Sequence, residues 1–276
     1  MGTLYVVAVP LGNLQDITLR AIETLNNVDC IACEDTRTTQ ILLNKYDIKT
    51  KLVDCHKFNE KERSKKISDI LGENGKVALV SDAGTPAICD PGSVLEGELM
   101  QLGHKIVPIP GASAIITFLS AVPRKNEFFT FVGFLPKTKQ KRFEVFKNFN
   151  FTNCVFYDSP NRLTSTLQEV LEYFGEDKKV AIGRELTKIF EEIKIGTVKE
   201  ILDYYQNHTL KGEIVGMLFA DEDEKIDEKQ ILKDIETLKA QGFSDKDISK
   251  ILSSLKDISK NKVYELSINN SKKNML

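Results

Sequence analysis

Histidine is scarce in the 276-residue chain: only His56, His104 and His208 occur, and no H-E-x-x-H or G-x-S-x-G motif is present. A zinc hydrolase or a serine hydrolase elbow is therefore unsupported. No G-x-G-x-x-G follows the opening apolar run and no G-x-x-x-x-G-K-[ST] occurs; Gly72-Glu73-Asn74-Gly75-Lys76-Val77 reads as a turn. Dinucleotide and nucleoside-triphosphate cradles are therefore unsupported. Five cysteines, an odd and scattered set, do not make a secreted disulfide framework. Cys30 and Cys33 form a C-x-x-C, but no second pair with zinc spacing follows. Their alternating context, Val28-Asp29-Cys30-Ile31-Ala32-Cys33, reads as a buried strand, and no metal is expected. Charge of one sign is also missing. Lys+Arg number 38 against Asp+Glu 40, so any nucleic-acid contact must come from local patches. The apolar run Leu4–Val9 is too short to span a membrane and lacks the basic prelude of a signal peptide. Val6 stands where a myristoylation motif needs Ser or Thr. A reducing cytoplasm, with no membrane association, is the expected location.

What remains is ordinary globular composition, 41% hydrophobic and 28% charged, at a length of roughly two domains. Short apolar runs alternate with helical periods. Leu4–Val9, Val28–Cys33, Leu52-Val53, Val77–Val80 and Lys105–Ile109 read as strands. Helices are expected after Asp16 as cap, over Thr36–Asn44, over Glu60–Leu71 on the surface, over Val94–Leu102 and within Ser113–Val122. This repetition predicts a parallel, doubly wound sheet. After Pro123 the pattern changes. Phe128–Val132, Cys154–Tyr157, Lys179–Ile182, Glu192–Ile195 and Ile214–Phe219 are strand-like, and two of them flank the turn-like stretch Gly183–Phe190. With helices at Arg162–Tyr173 and Val198–Tyr205, a mixed sheet is expected. Beyond Ala220 come a charge run, Asp221–Lys225, and helical periods at Ile226–Ala240, Asp245–Leu255 and Lys260–Ile268. Ser244 and Ser259 stand as caps, and a frayed end is expected from Asn269. The fold class is α/β: two α/β/α domains, 1–122 with a parallel doubly wound sheet and 123–220 with a mixed sheet, then a C-terminal helical appendage, 221–276. The appendage suits either helix packing or nucleic-acid reading.

Four loops follow predicted strands: Pro10–Thr18, Glu34-Asp35-Thr36-Arg37, Ser81–Gly92 and Pro108–Ala114. In one open parallel sheet such loops line a common crevice, although glycine and proline often only mark turns. None is basic and glycine-dense, so a neutral or cationic small molecule suits them better than a polyphosphate. Lys137, Lys139, Lys141, Arg142 and Lys147, with Phe143 and Phe146 between them, form either an amphipathic helix start or a patch that tracks a nucleic-acid backbone.

These loops also resemble a known family. Leu4–Thr18, Glu34–Arg37, Ser81–Gly92 and Pro110–Ser113 are similar to the tetrapyrrole-methylase class of S-adenosylmethionine (SAM) enzymes, and within it to the RsmI-type branch, ribose 2′-O-methyltransferases of small-subunit (16S) ribosomal RNA. Gly133–Pro136, Phe156–Leu163, Arg184–Lys188 and Gly212–Val215 stand in the same order, so the resemblance covers about residues 3–220. Asp158 is one methylene shorter than the family's glutamate, and His56 and Asn59 have unfamiliar neighbours. The resemblance implies SAM in a cleft between the two domains, held by Pro10, Asp82, Thr85, Ser113, Ala114, Tyr157, Leu186, Glu213 and Ile214. It implies methylation of a decoding-centre cytidine, with Glu34, Asp35, His56 or Glu185 as the base. Arg37 and the cluster Lys137, Lys139, Lys141 and Arg142 are the candidate RNA contacts; Arg37 and Arg184 alternatively pair with Asp35 and Glu185. A homodimer and a 16S ribosomal RNA partner are expected. The alternatives are a corrin or diphthine-type methyltransferase of the same class, or a non-catalytic ribosome- or RNA-binding protein.

Overall fold

The computed structural model describes every residue except 57–58, 209, 221–227, 257–258 and 274–276. The charge run Asp221–Lys225 and the helix onset at Ile226 lie outside the described residues. The chain divides into two compact units, Met1–Ala220 and Asp221–Leu276.

The first unit opens with β1 (Thr3–Val7), α1 (Leu19–Asn26), β2 (Cys30–Cys33), α2 (Thr36–Lys45), β3 (Leu52–Asp54), α3 (Glu60–Leu71), β4 (Lys76–Val80), α4 (Ser93–Gln101), β5 (Lys105–Ile109) and α5 (Ala114–Ala121). The five strands form one sheet in the order β3-β2-β4-β1-β5, every pair parallel. Both faces are covered, which is why β2 reads Cys-Ile-Ala-Cys with all four residues buried. Ile31 and Cys33 join a core with Val7, Ala78 and Val80, whereas Cys30 and Ala32 join another with Leu4, Leu79 and Leu95. Residues three apart on a strand face opposite ways, so this C-x-x-C cannot share a ligand. Burial instead pushes the Cys30 thiol up to about 11, as expected of an inert core cysteine.

Two expectations about this half need correction. Asp16 does not cap α1; it closes a single 3-10 turn, Leu14–Asp16, and an extended Ile17 separates that turn from the helix. Thr18 is the cap, its hydroxyl accepting from the Ala21 amide at 3.1 Å. α3 is also more than a charged surface helix. It buries Ile67 and Leu71, and its first residue, Glu60, accepts from the amides of Gly92 (2.7 Å) and Leu95 (3.4 Å), so it caps α4 from outside.

The same unit continues with β6 (Phe129–Phe134), α6 (Lys139–Asn148), β7 (Asn153–Asp158), α7 (Pro160–Phe174), β8 (Lys179–Arg184), β9 (Glu192–Thr197), α8 (Val198–Gln206) and β10 (Ile214–Leu218). Their order is β6-β7-β10-β8-β9, parallel only between β6 and β7. β8 and β9 form the antiparallel hairpin that the turn-like stretch foreshadowed. α8 is fixed by a reciprocal capping box between Thr197 and Glu200. α5 precedes the change of pattern in the sequence, yet it buries Ile115, Phe118 and Leu119 against Val155, Ala181, Val215 and Met217 of this second sheet. A chain that leaves the first sheet at β5 is thus tied at once to the second.

The second unit holds α9 (Glu228–Ala240), α10 (Asp245–Lys256) and α11 (Lys260–Lys273). Ile231, Ile235, Ile248, Leu252 and Val263 give it a core of its own. Ser244 and Ser259 accept from the Asp247 and Lys262 amides, as their positions suggested. Helix continues to Lys273, past the expected fraying point. Among the described residues no helix is long and apolar enough to cross a membrane.

Candidate active site

All four loops named above leave the C-terminal edge of the first sheet, and hydrogen bonds tie them into one structure. Val9 and Gly84 exchange both backbone bonds, at 2.9 and 3.0 Å. Asp35 N donates to Asp82 Oδ1 (3.1 Å), Ala8 N to the Ile109 carbonyl (3.2 Å), and Thr85 Oγ1 to the Ala112 carbonyl (3.0 Å). Gly111 permits this closeness, since a Cβ there would sit 3.0 Å from Ala8 Cβ. Gly12 likewise admits a close neighbour. A side chain on it would overlap Lys188, whose aliphatic stem lies across the loop.

Between these loops and the second sheet lies a cleft of about 460 Å³, inside the roughly 300–1,000 Å³ range of small-molecule sites. Leu11, Ile88, Ile115, Phe134, Leu186 and Val215 give it apolar walls, and Glu34, Asp82, Asp90 and Glu213 bring carboxylates. No lysine, arginine or histidine lines it among the described residues. Burial raises the acids Glu34, Asp82 and Asp90 above the ordinary carboxylate range, and repulsion from neighbouring carboxylates adds to the shift: Asp82 and Asp90 act on Glu34, Asp35 on Asp82, and Asp82 and Glu213 on Asp90. The Tyr157 hydroxyl is pushed up by burial, and further by Cys89, Asp90 and Glu213, so it stays protonated and able to donate. Its ring is held by Phe131 and Phe134, with centroids 5.0 and 5.2 Å away. Ser113 begins α5 without making a cap bond, which leaves its hydroxyl for the cleft it lines. Ala87, Glu185 and Thr187 adopt positive φ (63°, 51° and 67°) around the site. Strain of this kind persists where surrounding contacts hold a binding surface in shape.

Of the nine residues expected to hold a cofactor, Asp82, Thr85, Ser113, Ala114, Tyr157, Leu186, Glu213 and Ile214 all line this cleft. Pro10 does not; it lines an adjoining cavity. Sequence reasoning missed Asp90, Phe134 and Ser159. Asp90 was legible as the carboxylate of the rigid Cys89-Asp90-Pro91-Gly92 turn. Phe134 reaches the cleft through a register shift in β6 that no periodicity reveals.

The four candidate bases separate. Glu34 lines the cleft. Asp35 is committed elsewhere: it caps α2 through the Arg37 amide (2.8 Å) and grips the Arg37 guanidinium at 3.1 and 2.6 Å. That guanidinium holds its carboxyl down at about 2. Burial raises the Glu185 carboxyl, but the Lys188 ammonium at 2.8 Å and the Glu213 amide at 3.1 Å outweigh it and bring the group below the usual range. Glu185 and His56 are both outside the cleft lining; His56 takes its place in the β3–α3 connection, its amide donating to Asn59 Oδ1 at 2.8 Å. Arg184 pairs with Glu192 at 3.7 Å and not with Glu185. Asp158 is buried under Arg162 (2.7 Å) and Thr166 (2.7 Å), a structural post at the start of α7.

The basic cluster also divides. Lys137 and Lys141 are exposed, and Lys139 is paired with Glu172 at 2.6 Å. Arg142 is buried, its guanidinium bonded to both Glu169 oxygens and to the Pro136 and Lys137 carbonyls. It is a core residue of α6 and is withdrawn from the RNA contacts. Its position in a Lys/Arg run concealed this, because helical spacing turns one member of such a run inward.

A crevice at a sheet's C-terminal edge, rich in carboxylates and lined by no cationic side chain among the described residues, is the kind of small-molecule site that α/β enzymes place between two layers. The chain belongs to the Tetrapyrrole (Corrin/Porphyrin) Methylases, whose family model matches residues 3–202; members of that family are SAM-dependent methyltransferases. It is similar to the "Ribosomal RNA small subunit methyltransferase I" of Halalkalibacterium halodurans, 40% identical over 274 residues, 96% of this chain and 94% of that one. The protein of the same name from Thermotoga maritima is 43% identical over 220 residues, 79% and 98% of the two chains. Among solved structures, a diphthine synthase superposes with a TM-score of 0.64 at 15% identity, covering 79% of this chain and 90% of its own, which bears on the fold alone.

Proposed function

We propose that the protein transfers a methyl group from SAM to the ribose 2′-hydroxyl of a cytidine in the decoding centre of small-subunit (16S) ribosomal RNA. The similarity of almost the whole chain to relatives named for that RNA supports the substrate. The observation that carries the chemistry is the cleft's charge: carboxylates, main chain and apolar walls, with no basic side chain among the described residues. Such a lining fits a sulfonium and repels a phosphate. When bound, SAM supplies an activated methyl on a good leaving group, which leaves the protein chiefly the task of positioning. Asp82, Asp90 and Glu213 hold the positive charge, and Tyr157 offers a hydroxyl as donor. Leu186 and Ile115 exclude water.

A ribose hydroxyl needs somewhere to send its proton. Glu34 is the base we assign, being the one candidate among the four that lines the cleft, with a carboxyl raised toward the working range of a base. The domains 1–122 and 123–220 act as the two walls. Lys137, Lys139 and Lys141, exposed at and just before the start of α6, bind the RNA backbone together with Arg37. The working form is a cytoplasmic homodimer acting on the small ribosomal subunit. The test is mass-spectrometric mapping of ribose methylation in small-subunit RNA from cells lacking the protein. One 2′-O-methyl cytidine is expected to vanish, to return with the wild-type chain and to stay absent with Glu34→Gln. Survival of every ribose methyl mark overturns the substrate.

A further inference from the structure

Beside the cofactor cleft is a second cavity, of about 180 Å³, that the mechanism above leaves unused. It lies between the β1 loop, the first turns of α2 and the end of β4, and it shares Leu11 and Asp82 with the cleft. Its walls are apolar and come from both sides: Pro10 and Leu14 from the loop, Ile41 and Leu42 from the helix. Ile41 stands at the rim with 63% of its surface exposed, so its side chain is open to a ligand.

Two polar groups there can meet a ligand. Asp82 is solvent-exposed: its Oδ1 accepts from the Asp35 amide, and no side chain or amide of the described residues bonds Oδ2. Thr39 lines the cavity and is 5% exposed, yet its hydroxyl has no hydrogen-bond partner, only the Cys33 thiol, a weak acceptor, beside it. A buried hydroxyl without a partner is costly. Threonine in a helix has two χ1 wells, and a single rotation exchanges hydroxyl and methyl, so a polar ligand in the cavity can satisfy it.

We infer that this cavity takes the base of the target nucleotide, an extruded pyrimidine carrying an exocyclic amine, flat between Leu14 and the Ile41–Leu42 face of α2. The inference rests on the proposal that the methyl acceptor is an RNA ribose. An enzyme acting on one nucleotide of a folded RNA must draw that nucleotide out of its stack, and it needs an apolar slot with a few polar groups to receive the base. The slot's size suits one ring. A free carboxylate oxygen accepts from an amine and repels a carbonyl, so cytosine is favoured over uracil, as acidic side chains favour cytosine N4 elsewhere. Because Asp82 belongs to both cavities, a base seated here lies next to the cofactor, where its ribose must be.

The experiment uses the full chain saturated with S-adenosylhomocysteine and titrated with cytidine or uridine 5′-monophosphate, followed by methyl NMR. Cytidine monophosphate is expected to shift the Ile41, Leu42 and Val80 methyls, binding at least about fivefold more tightly than the uridine nucleotide. Thr39→Val is expected to weaken it about threefold or more while raising the urea midpoint, because an unsatisfied hydroxyl is removed. Thr38→Phe, at an exposed position whose side chain reaches over the slot, is expected to abolish the shifts with S-adenosylhomocysteine affinity unchanged. Shifts confined to Ile88 and Ile115, equal binding of the two nucleotides, or none at all overturn the assignment. The RNA proposal fails separately, through the cellular methylation map, since these titrations involve no methyl transfer.

Discussion

Arg142→Met separates a structural role from an RNA-binding one. The guanidinium and the Glu169 carboxylate are 7% and 9% exposed and meet at 2.8 and 2.6 Å, and the same guanidinium satisfies the Pro136 and Lys137 carbonyls at 2.8 and 2.9 Å. Methionine fills much of the volume but leaves a buried carboxylate unpaired and two carbonyls without donors. Breaking such a pair from one side costs about 3–5 kcal/mol. With a urea slope of roughly 2–3 kcal/mol/M, the midpoint should fall by roughly 1–2.5 M. Replacing both partners, Arg142→Met with Glu169→Leu, should recover most of that loss, because no charge is then stranded. The bonds to Pro136 and Lys137 also anchor the segment that follows Phe134, so the single variant should weaken cofactor binding at temperatures where it is still folded. The assay is urea unfolding by circular dichroism, with calorimetric SAM titration in parallel. A single variant with an unchanged midpoint and weakened binding only to RNA would refute the burial argument and return Arg142 to the RNA surface.

Asp82→Asn should weaken SAM roughly 10–150-fold, the loss of one charge-assisted contact of about 1.5–3 kcal/mol, and weaken neutral S-adenosylhomocysteine far less; equal losses in calorimetry would mean that the carboxylate does not sense the sulfonium. SAM affinity should be flat at neutral pH and fall as the pH drops through the raised range of Glu34, Asp82 and Asp90, which lies above their ordinary values of 4.5, 3.8 and 3.8. Those acids are raised in the folded state, so the unfolded chain ionises first and they lower stability as pH rises through that window. Asp82→Asn should therefore raise the urea midpoint at pH 7 even as it weakens the cofactor. Glu185→Gln should cost about 1–2 kcal/mol in unfolding, through its bonds to Lys188 and the Glu213 amide, and leave the pH profile of kcat in place. Glu34→Gln should remove the acid limb of that profile; the reverse pattern would make Glu185 the base.

The alternation of strands and helices was legible because buried parallel strands are short apolar runs and each has its own punctuation. α3 and β5 fall at Glu60–Leu71 and Lys105–Ile109, where the apolar period and the closing glycine or turn placed them. Capping was harder to read. Asp16 and Thr18 are both good caps by composition, and only the extended Ile17 between them decides which one serves. α5 shows a deeper limit. Its apolar residues are plain in the sequence, but whether they face the first sheet or the second depends on a partner far along the chain.

The site follows the same division. The loops that carry Asp82, Thr85 and Ser113 could be placed at the crevice from their own punctuation after a strand, whereas the residues themselves were singled out through the family resemblance. Glu34 and Asp35 are adjacent carboxylates of equal sequence standing, and they diverge because one faces the cleft while the other meets the α2 amide and Arg37. Charge on a side chain does not say where the compensating charge lies. Arg37 and Arg142 make the same point: each pairs with a carboxylate, one two residues away and 89% exposed, the other across helices and buried. The first pairing costs little to break and leaves the arginine available to a phosphate; the second does not. Burial of the pair, rather than residue type, therefore decides which cations of this chain can meet RNA.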